Sequence, residues 1–457
     1  MNLLDPSTSS FRDPSGNVFL KDGIVQRNVN FSYKENYDLF MKSGLYKKLV
    51  DENLLISHVE VKLEENSNYY KILQPQQLKF ISYPYEWSFS QLKEAALTLL
   101  KIQKIAFEHG MVLKDASAYN MQWHMGKFIL IDTLSFEIYQ ENKPWIAYKQ
   151  FCEHFFAPLA LMTFCDIRSN ELLKVYLDGI PIQLAKAFLP KKSKLNLAVL
   201  MHIHLHASSI KKGGDAKKSK SKKFTKLAFK GLIDNFESAI TKFKLNVSSS
   251  TWHNYYSETI LSNEYLEQKK VLVKEYLNSI KYDSVLDVGA NTGEFSLLVN
   301  PAALVVSTDF DNLAVEDNYL FCKKNNIKNI LPLVTDFTNP SPAIGWKNSE
   351  RASFVERVGV DCVMALAVVH HLAIGKNIPL QKIAELFCVF TTDLIIEFVP
   401  KTDPKALEML EYREDIFSNY SIENFEAQFS PYFSIEKKAE IPNSTRTLYL
   451  MRKKANG

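Results

Sequence analysis

Apolar positions in the last two hundred residues fall into short continuous runs separated by stretches of helical period. The runs lie at 284–288 (SVLDV), 304–308 (LVVST), 330–334 (ILPLV), 361–366 (DCVMAL) and 393–399 (DLIIEFV), with helix-length segments between them such as 313–325 and 378–390. Unbroken apolar runs of this length suit strands covered on both faces, and their alternation with helices predicts a mostly parallel sheet with right-handed crossovers. The closing stretch RTLYLMRK reads as a final antiparallel edge strand.

The first half is patterned differently. Residues 17–30, NVFLKDGIVQRNVN, read as strand, Asp22-Gly23 turn, strand. A helical segment from Asn36 to Asp51, strand-like residues at 57–63 and 78–83, and helical sequence from Ser90 onward follow. This order predicts a strand-rich lobe over about 1–89 and a helical lobe over about 90–207. Residues 208–223, SSIKKGGDAKKSKSKK, have no apolar period and read as a solvated linker. Beyond it Phe224, Leu227, Ala228, Leu232, Phe236 and Ile240 recur at helical spacing, predicting an amphipathic helix that leads into a second domain over 224–457.

Composition narrows the class. With 457 residues, 46% hydrophobic and 23% charged, the chain is folded and long enough for two to three domains. Net charge is +4, yet residues 211–230 hold nine Lys and one Asp, a local +8, so the remainder sums to 4 − 8 = −4. Basicity is therefore local, and a nucleic-acid partner is not indicated. Cys152, Cys165, Cys322, Cys362 and Cys388 are odd in number, show no CxxC spacing and sit among apolar residues, which suits reduced thiols better than disulfides or a zinc site. Neither a basic, apolar leader nor a run near membrane-spanning length is seen, so no membrane span and a cytoplasmic location are expected.

The chemistry of the second half centres on Val285-Leu286-Asp287-Val288-Gly289-Ala290-Asn291-Thr292-Gly293. A buried strand entering a turn with glycines four apart lets a cofactor lie against bare backbone at the sheet's carboxyl edge. The spacing differs from GxGxxG, so a cofactor without pyrophosphate is the better match. Asp309, twenty residues after Gly289, ends the next strand, where a carboxylate accepts from two ribose hydroxyls, and Asp311 is the nearby alternative. Asp336 ends the third strand. The fourth strand ends in Leu366, and His370 and His371 follow. Either histidine has the proton affinity to act as a base toward a hydroxyl acceptor, and both equally suit a strand-capping role. Trp252, Tyr255 and Tyr256 are candidates for a lid, with core packing against the sheet the better fit for at least one of them, and Glu397 is a candidate for an acceptor contact.

These residues resemble the class I S-adenosylmethionine-dependent methyltransferases, and the chain as a whole resembles the NoeA nodulation-protein type. The resemblance implies a Rossmann-like α/β domain with a mostly parallel seven-stranded sheet, and S-adenosyl-L-methionine as cofactor. It implies that Asp287, Gly289, Asn291 and Gly293 line the methionine part, Asp309 the ribose and Asp336 the adenine. Leu366 belongs to the cofactor wall, and the segment holding His370 and His371 faces the transferred methyl. A carbohydrate or small-molecule acceptor is implied by analogy.

In the first half, Asp115, four residues and Asn120 precede a short hairpin ending in Asp132. Phosphoryl transfer uses this layout, one carboxylate orienting a hydroxyl while Asn and a second Asp hold magnesium. The segment resembles the catalytic loop of protein-kinase-like and aminoglycoside-kinase-like folds, implying an α+β kinase-like N-terminal domain over 1–207 and a site for magnesium and ATP. The pattern departs at the missing glycine-rich loop and at Thr133-Leu134 after Asp132, and Arg27 is the candidate for the absent lysine. A kinase-shaped domain that binds without catalysis fits the same residues. His202, His204 and His206 share a face only on a strand, and their flanks favour a helix, so they are expected to be structural. No metal site is assigned.

Overall fold

The runs of the second half are strands in the computed structural model, which describes residues 10–63, 67–207, 224–245, 263–411 and 414–455. The expected linker at 208–223 and the aromatics at 252–256 lie outside the described residues. Two units emerge, one of Met1–Val247 with Pro342–Ser353, the other of Ser248–Ser341 with Phe354–Gly457.

In the first unit β1 (Val18–Lys21) and β2 (Ile24–Val29) are joined by Asp22 and Gly23 at φ 52° and 78°. Positive φ at both turn residues matches the twist of the paired strands. With β3 (His58–Val61) and β4 (Lys71–Pro75) they form an antiparallel sheet in the order β1-β2-β4-β3. The strand-like residues at 78–83 are not a strand. There Gln122 takes the place of a neighbouring backbone, accepting from Ser82 N at 3.0 Å and donating to Ser82 O at 2.9 Å. The expected helix at 36–51 is split by Gly44, at φ 82°, into Lys34–Lys42 and Leu45–Asp51.

Helix α1 (Phe89–Glu108) buries Leu92, Ala95, Ala96, Leu99 and Ala106. After it, β5 (Met111–Leu113) pairs with β8 (Phe136–Ile138), and β6 (Met121–His124) with β7 (Lys127–Leu130). Helix α2 (Lys226–Lys242) packs here rather than in the second unit. Its inner face is Phe229, Ile233, Phe236 and Ile240, and the expected core residue Leu227 is 81% exposed. Aromatic pairing sets this rotation: Phe229 stacks on Phe107 at 4.6 Å and Phe236 meets Phe151 at 5.0 Å. Lys104 adds ion pairs to Asp234 and Glu237. The first unit also takes in Pro342–Ser353, where Glu350 receives a bidentate pair from Arg12 at 2.5 and 2.9 Å and Arg351 lies 4.8 Å over the Tyr119 ring. An unbroken second domain at 224–457 is thus corrected at both places.

The second unit comprises α3 (Asn263–Asn278), β9 (Ser284–Val288), β10 (Leu304–Asp309), α4 (Asn312–Lys324), β11 (Ile330–Val334), β12 (Val360–Ala365), α5 (Leu380–Phe390), β13 (Thr391–Phe398), α6 (Ile422–Phe429), β14 (Phe433–Glu440) and β15 (Thr447–Lys453). Seven strands run in the order β11-β10-β9-β12-β13-β15-β14, all in one direction except β15, which is antiparallel to both its neighbours β13 and β14. The closing strand is interior, between β13 and β14, so the expected edge position is corrected. The edge is β14, whose FSIEKKAE is mostly polar and half exposed. Val285, Val305, Ile330, Met364, Ile395 and Leu450 meet Val273, Tyr276 and Leu277 of α3 in one core. Strand order reverses beside β9, which leaves a crevice at the carboxyl ends of β9 and its neighbours.

No helix among the described residues is long and apolar enough to cross a membrane. The five cysteines are free, and Cys165 is exposed, against the expectation that all lie in apolar surroundings.

Candidate functional site

A cavity of about 420 Å³ opens at the carboxyl ends of β9 to β12. Its floor follows from the turn after β9. Gly289 holds φ 69°, and a Cβ there would lie 2.7 Å from Val368 Cγ2, so only bare backbone fits. Asn291 holds φ 50° and is also on the wall. Gly293 is not. At φ 85° its α-carbon faces the Asn318 amide, 2.6 Å from where a Cβ would stand, so its bare α-carbon serves the turn and the packing of α4.

Asp309 ends β10 with its carboxylate buried on the cavity wall. Oδ2 accepts from Asn291 N at 2.8 Å and Oδ1 from Asp311 N at 2.9 Å, and the Phe310 amide also bonds the carboxylate. Burial pushes its pKa up to about 6 against the pull of those amides. Asp311 is occupied elsewhere, capping α4 through Leu313 N at 2.8 Å. Asp287 accepts from Ser296 Oγ at 2.6 Å, and burial lifts it to about 7 against that bond and the Lys269 charge. Asp336, exposed at the mouth, accepts from Thr338 N and Oγ1 at 2.8 and 2.7 Å. Thr335 Oγ1 is buried beside it without a hydrogen-bond partner among the described residues, and Leu366 completes the apolar side.

The two histidines part company. Their rings sit 4.1 Å apart, yet only His371 is on the wall. Adjacent residues on a helical turn point about 100° apart, so one of them must face away. His370 is fully buried, both ring nitrogens lack hydrogen-bond partners among the described residues, and burial holds its pKa well below the usual range. Its assignment as a catalytic group is corrected. Burial lowers His371 to about 4, so its imidazole is neutral at physiological pH.

Tyr265, Lys269 and Arg446 also line the cavity and were not foreseen. They rest on Glu397, which is fully buried and off the wall, so its expected contact with an acceptor is corrected. Lys269 Nζ meets Glu397 Oε2 at 2.5 Å, Arg446 Nη1 meets Oε1 at 3.3 Å, and the Tyr265 hydroxyl donates to Oε1 at 2.8 Å. Asp403 takes the other edge of Arg446 at 2.7 and 3.0 Å. Burial alone would raise Glu397, but the Lys269 and Arg446 charges hold it down at about 2. A sequence signal existed: Lys269 interrupts the stripe Tyr265, Val273, Tyr276 at helical spacing, and a lysine inside an apolar stripe needs a buried partner.

In the first unit, Asn120 and Asp132 flank the β6–β7 hairpin and are bridged by Ser135 Oγ, at 3.4 and 2.8 Å. Asp132 is buried and ion-paired to Arg27 at 2.8 Å, and Arg27 also meets Asp13 at 2.9 Å. Asp115 accepts from Ser117 N and Gln150 Nε2. With Asp132 neutralised by a guanidinium and Lys114 turned to Asp13 and Ser15, the arrangement gives magnesium and ATP no support. His202 lies in a wide helical turn, stacked on Phe236 at 4.1 Å and bonded to Tyr148 and Asn235, which is a packing role.

The second unit is therefore a doubly wound α/β domain with an acid-rimmed cavity at its switch point. No family model matches the chain. Over 452 residues it is 35% identical to the nodulation protein NoeA of Rhizobium meliloti (strain 1021), covering 96% of this chain and 94% of that one. The chain belongs to the NoeA family of nodulation proteins. Among solved structures, the N-methyltransferase NodS of Bradyrhizobium japonicum WM9 with S-adenosyl-L-homocysteine aligns at TM-score 0.33 and 10% identity, over 45% of this chain and 99% of that one. A SAM-dependent methyltransferase from Aquifex aeolicus aligns at 0.32 and 18%, over 45% and 100%, and the bifunctional kinase-methyltransferase WbdD at 0.31 and 16%, over 44% and 41%. Likenesses this distant carry no argument about fold or chemistry.

Proposed function

We propose that the second unit is an S-adenosylmethionine-dependent methyltransferase domain acting on a small-molecule acceptor, with a carbohydrate hydroxyl as the preferred target. The carrying observation is Asp309: a buried carboxylate at a strand end, braced by backbone amides and facing the cavity beside the bare backbone of Gly289, where a vicinal diol would meet it. A single acid in that position recognises a ribose without needing a phosphate.

The remaining residues fit the rest of the cofactor. Thr335 Oγ1, buried and unsatisfied, and Asp336 at the mouth would meet the adenine edge. Asp287, Gly289 and Asn291 would line the amino-acid end, where a carboxylate poised near neutrality matches an ammonium. When bound, the cofactor supplies a methyl group on a sulfonium whose leaving group is a neutral thioether. The chain then has to position the acceptor and keep water out, which Phe295, Leu366 and Leu372 do as apolar wall. His371, neutral and on the wall, is placed to accept the hydroxyl proton of an acceptor. The reading sets the enzyme in the cytoplasm, where thiols stay reduced.

Native mass spectrometry of the full chain tests it. The expected spectrum shows protein carrying the mass of S-adenosylmethionine or S-adenosylhomocysteine, as purified or after addition. A chain that takes up neither overturns the proposal.

A further inference from the structure

The first unit carries a surface that the proposed chemistry does not use. Residues 179–207 contain no Asp or Glu and four lysines, Lys186, Lys191, Lys192 and Lys194. The segment is anchored from within: Leu189 and Ile182 are buried, and Ser193 Oγ pairs with His204 Nε2 at 2.9 Å. Its outward residues are large and apolar. Phe188 is 54% exposed, Leu195 90%, Leu197 65% and Leu205 57%.

Lys191, Lys192 and Lys194 are exposed in the same stretch of chain as Phe188, Leu195 and Leu197. The Lys194 and Lys186 charges both reach His204, so the stretches before and after Pro190 come to one place. Single exposed leucines are ordinary, but four exposed large apolar side chains and three exposed lysines on one short segment without carboxylates are not. An acidic protein partner would need only the lysines, and an apolar one only the leucines. A surface that offers phosphates above hydrocarbon answers both, because lysine heads reach the phosphates while their stems and the apolar side chains sink below them.

We infer that the 179–207 surface docks the first unit on an anionic lipid bilayer, Phe188, Leu195 and Leu197 entering the interface while Lys191, Lys192 and Lys194 engage lipid phosphates. The docking is peripheral and reversible.

The full chain is sedimented with vesicles of phosphatidylcholine alone and of phosphatidylcholine mixed with phosphatidylglycerol. Binding is expected only to the anionic vesicles, and to weaken as salt rises. Lys191→Gln, Lys192→Gln and Lys194→Gln together should lower the partition coefficient about a hundredfold. The pair Leu195→Ser and Leu197→Ser should lower it about tenfold with the lysines intact. All five positions are exposed or end on exposed turns, and circular dichroism checks that the variants fold. Equal binding to both vesicle types, or none, overturns the inference. So does a lysine variant that binds as well as wild type, since the run of nine lysines at 211–230 would then carry the binding. A concentration-dependent dimer broken by Leu195→Ser, with vesicle binding unchanged, would assign the patch to self-association and overturn it too. Neither cofactor nor acceptor enters this assay, so its failure leaves the methyltransferase proposal standing.

Discussion

Asp309→Ala separates the cost of the carboxylate to the fold from its value to the cofactor. The substitution strands the amides of Asn291 and Asp311, both of which donate to it within 2.9 Å. An unpaired buried amide costs about 1–3 kcal/mol, so the loss is about 2–6 kcal/mol. Against this, the ionised carboxylate is itself disfavoured in the fold. A rise from 3.8 to about 6 corresponds to roughly 3 kcal/mol at neutral pH, which the variant regains. Net destabilisation is therefore about 3 kcal/mol at most, and the unfolding midpoint should drop by less than about 12 °C. Cofactor binding has no such offset. Two charge-assisted hydrogen bonds at about 1.5–3 kcal/mol each predict a loss of affinity of about a hundredfold or more. Calorimetric titration with S-adenosylhomocysteine, paired with thermal unfolding without ligand, reads both quantities. A folded variant whose affinity changes less than about threefold would refute the reasoning.

Glu397→Gln leaves Lys269 and Arg446 without their shared carboxylate, and breaking such a buried pair costs about 3–5 kcal/mol, so scanning calorimetry should show a midpoint lower by about 6 °C or more. A shift under about 2 °C would show that Asp403 alone holds the cluster. The pH dependence has a defined sign. Asp309 and Asp287 have folded pKa values near 6 and 7, above their unfolded value of 3.8, so the ligand-free protein gains stability as pH falls through that window. Cofactor binding uses the ionised forms and should strengthen about tenfold or more between pH 5 and 7.5, and a flat profile would count against both acids as contacts. Gly289→Ala and Gly293→Ala should differ: both lower stability, but only the first, whose Cβ would stand at the cavity wall beside Val368, should also weaken S-adenosylhomocysteine binding by about tenfold.

Much of the second unit was legible because five strands are covered on both faces, and burial on both faces writes a continuous apolar run. Strand β14 left no such mark, since it lies at the edge with a polar outer face. Helix α2 shows the limit of periodicity. The repeat announced a helix, yet which aromatic rings it meets, Phe107 and Phe151, decides both its rotation and the unit it joins. In the site, Asp309 was legible from its place at a strand end. For Gly293 the positive φ can be read from the turn, whereas the direction its α-carbon faces depends on Asn318 of α4. Lys269 and Arg446 escaped because their partner Glu397 is remote in sequence, and a charge looks like surface until that partner is known.

A crystal structure of the full chain with S-adenosylhomocysteine tests the central claim most directly. The account predicts both ribose hydroxyls within hydrogen-bond distance of the Asp309 carboxylate, and the ligand's amino-acid end beside Gly289 and Asp287. Ligand bound elsewhere, or a ribose turned away from the Asp309 carboxylate, would contradict it.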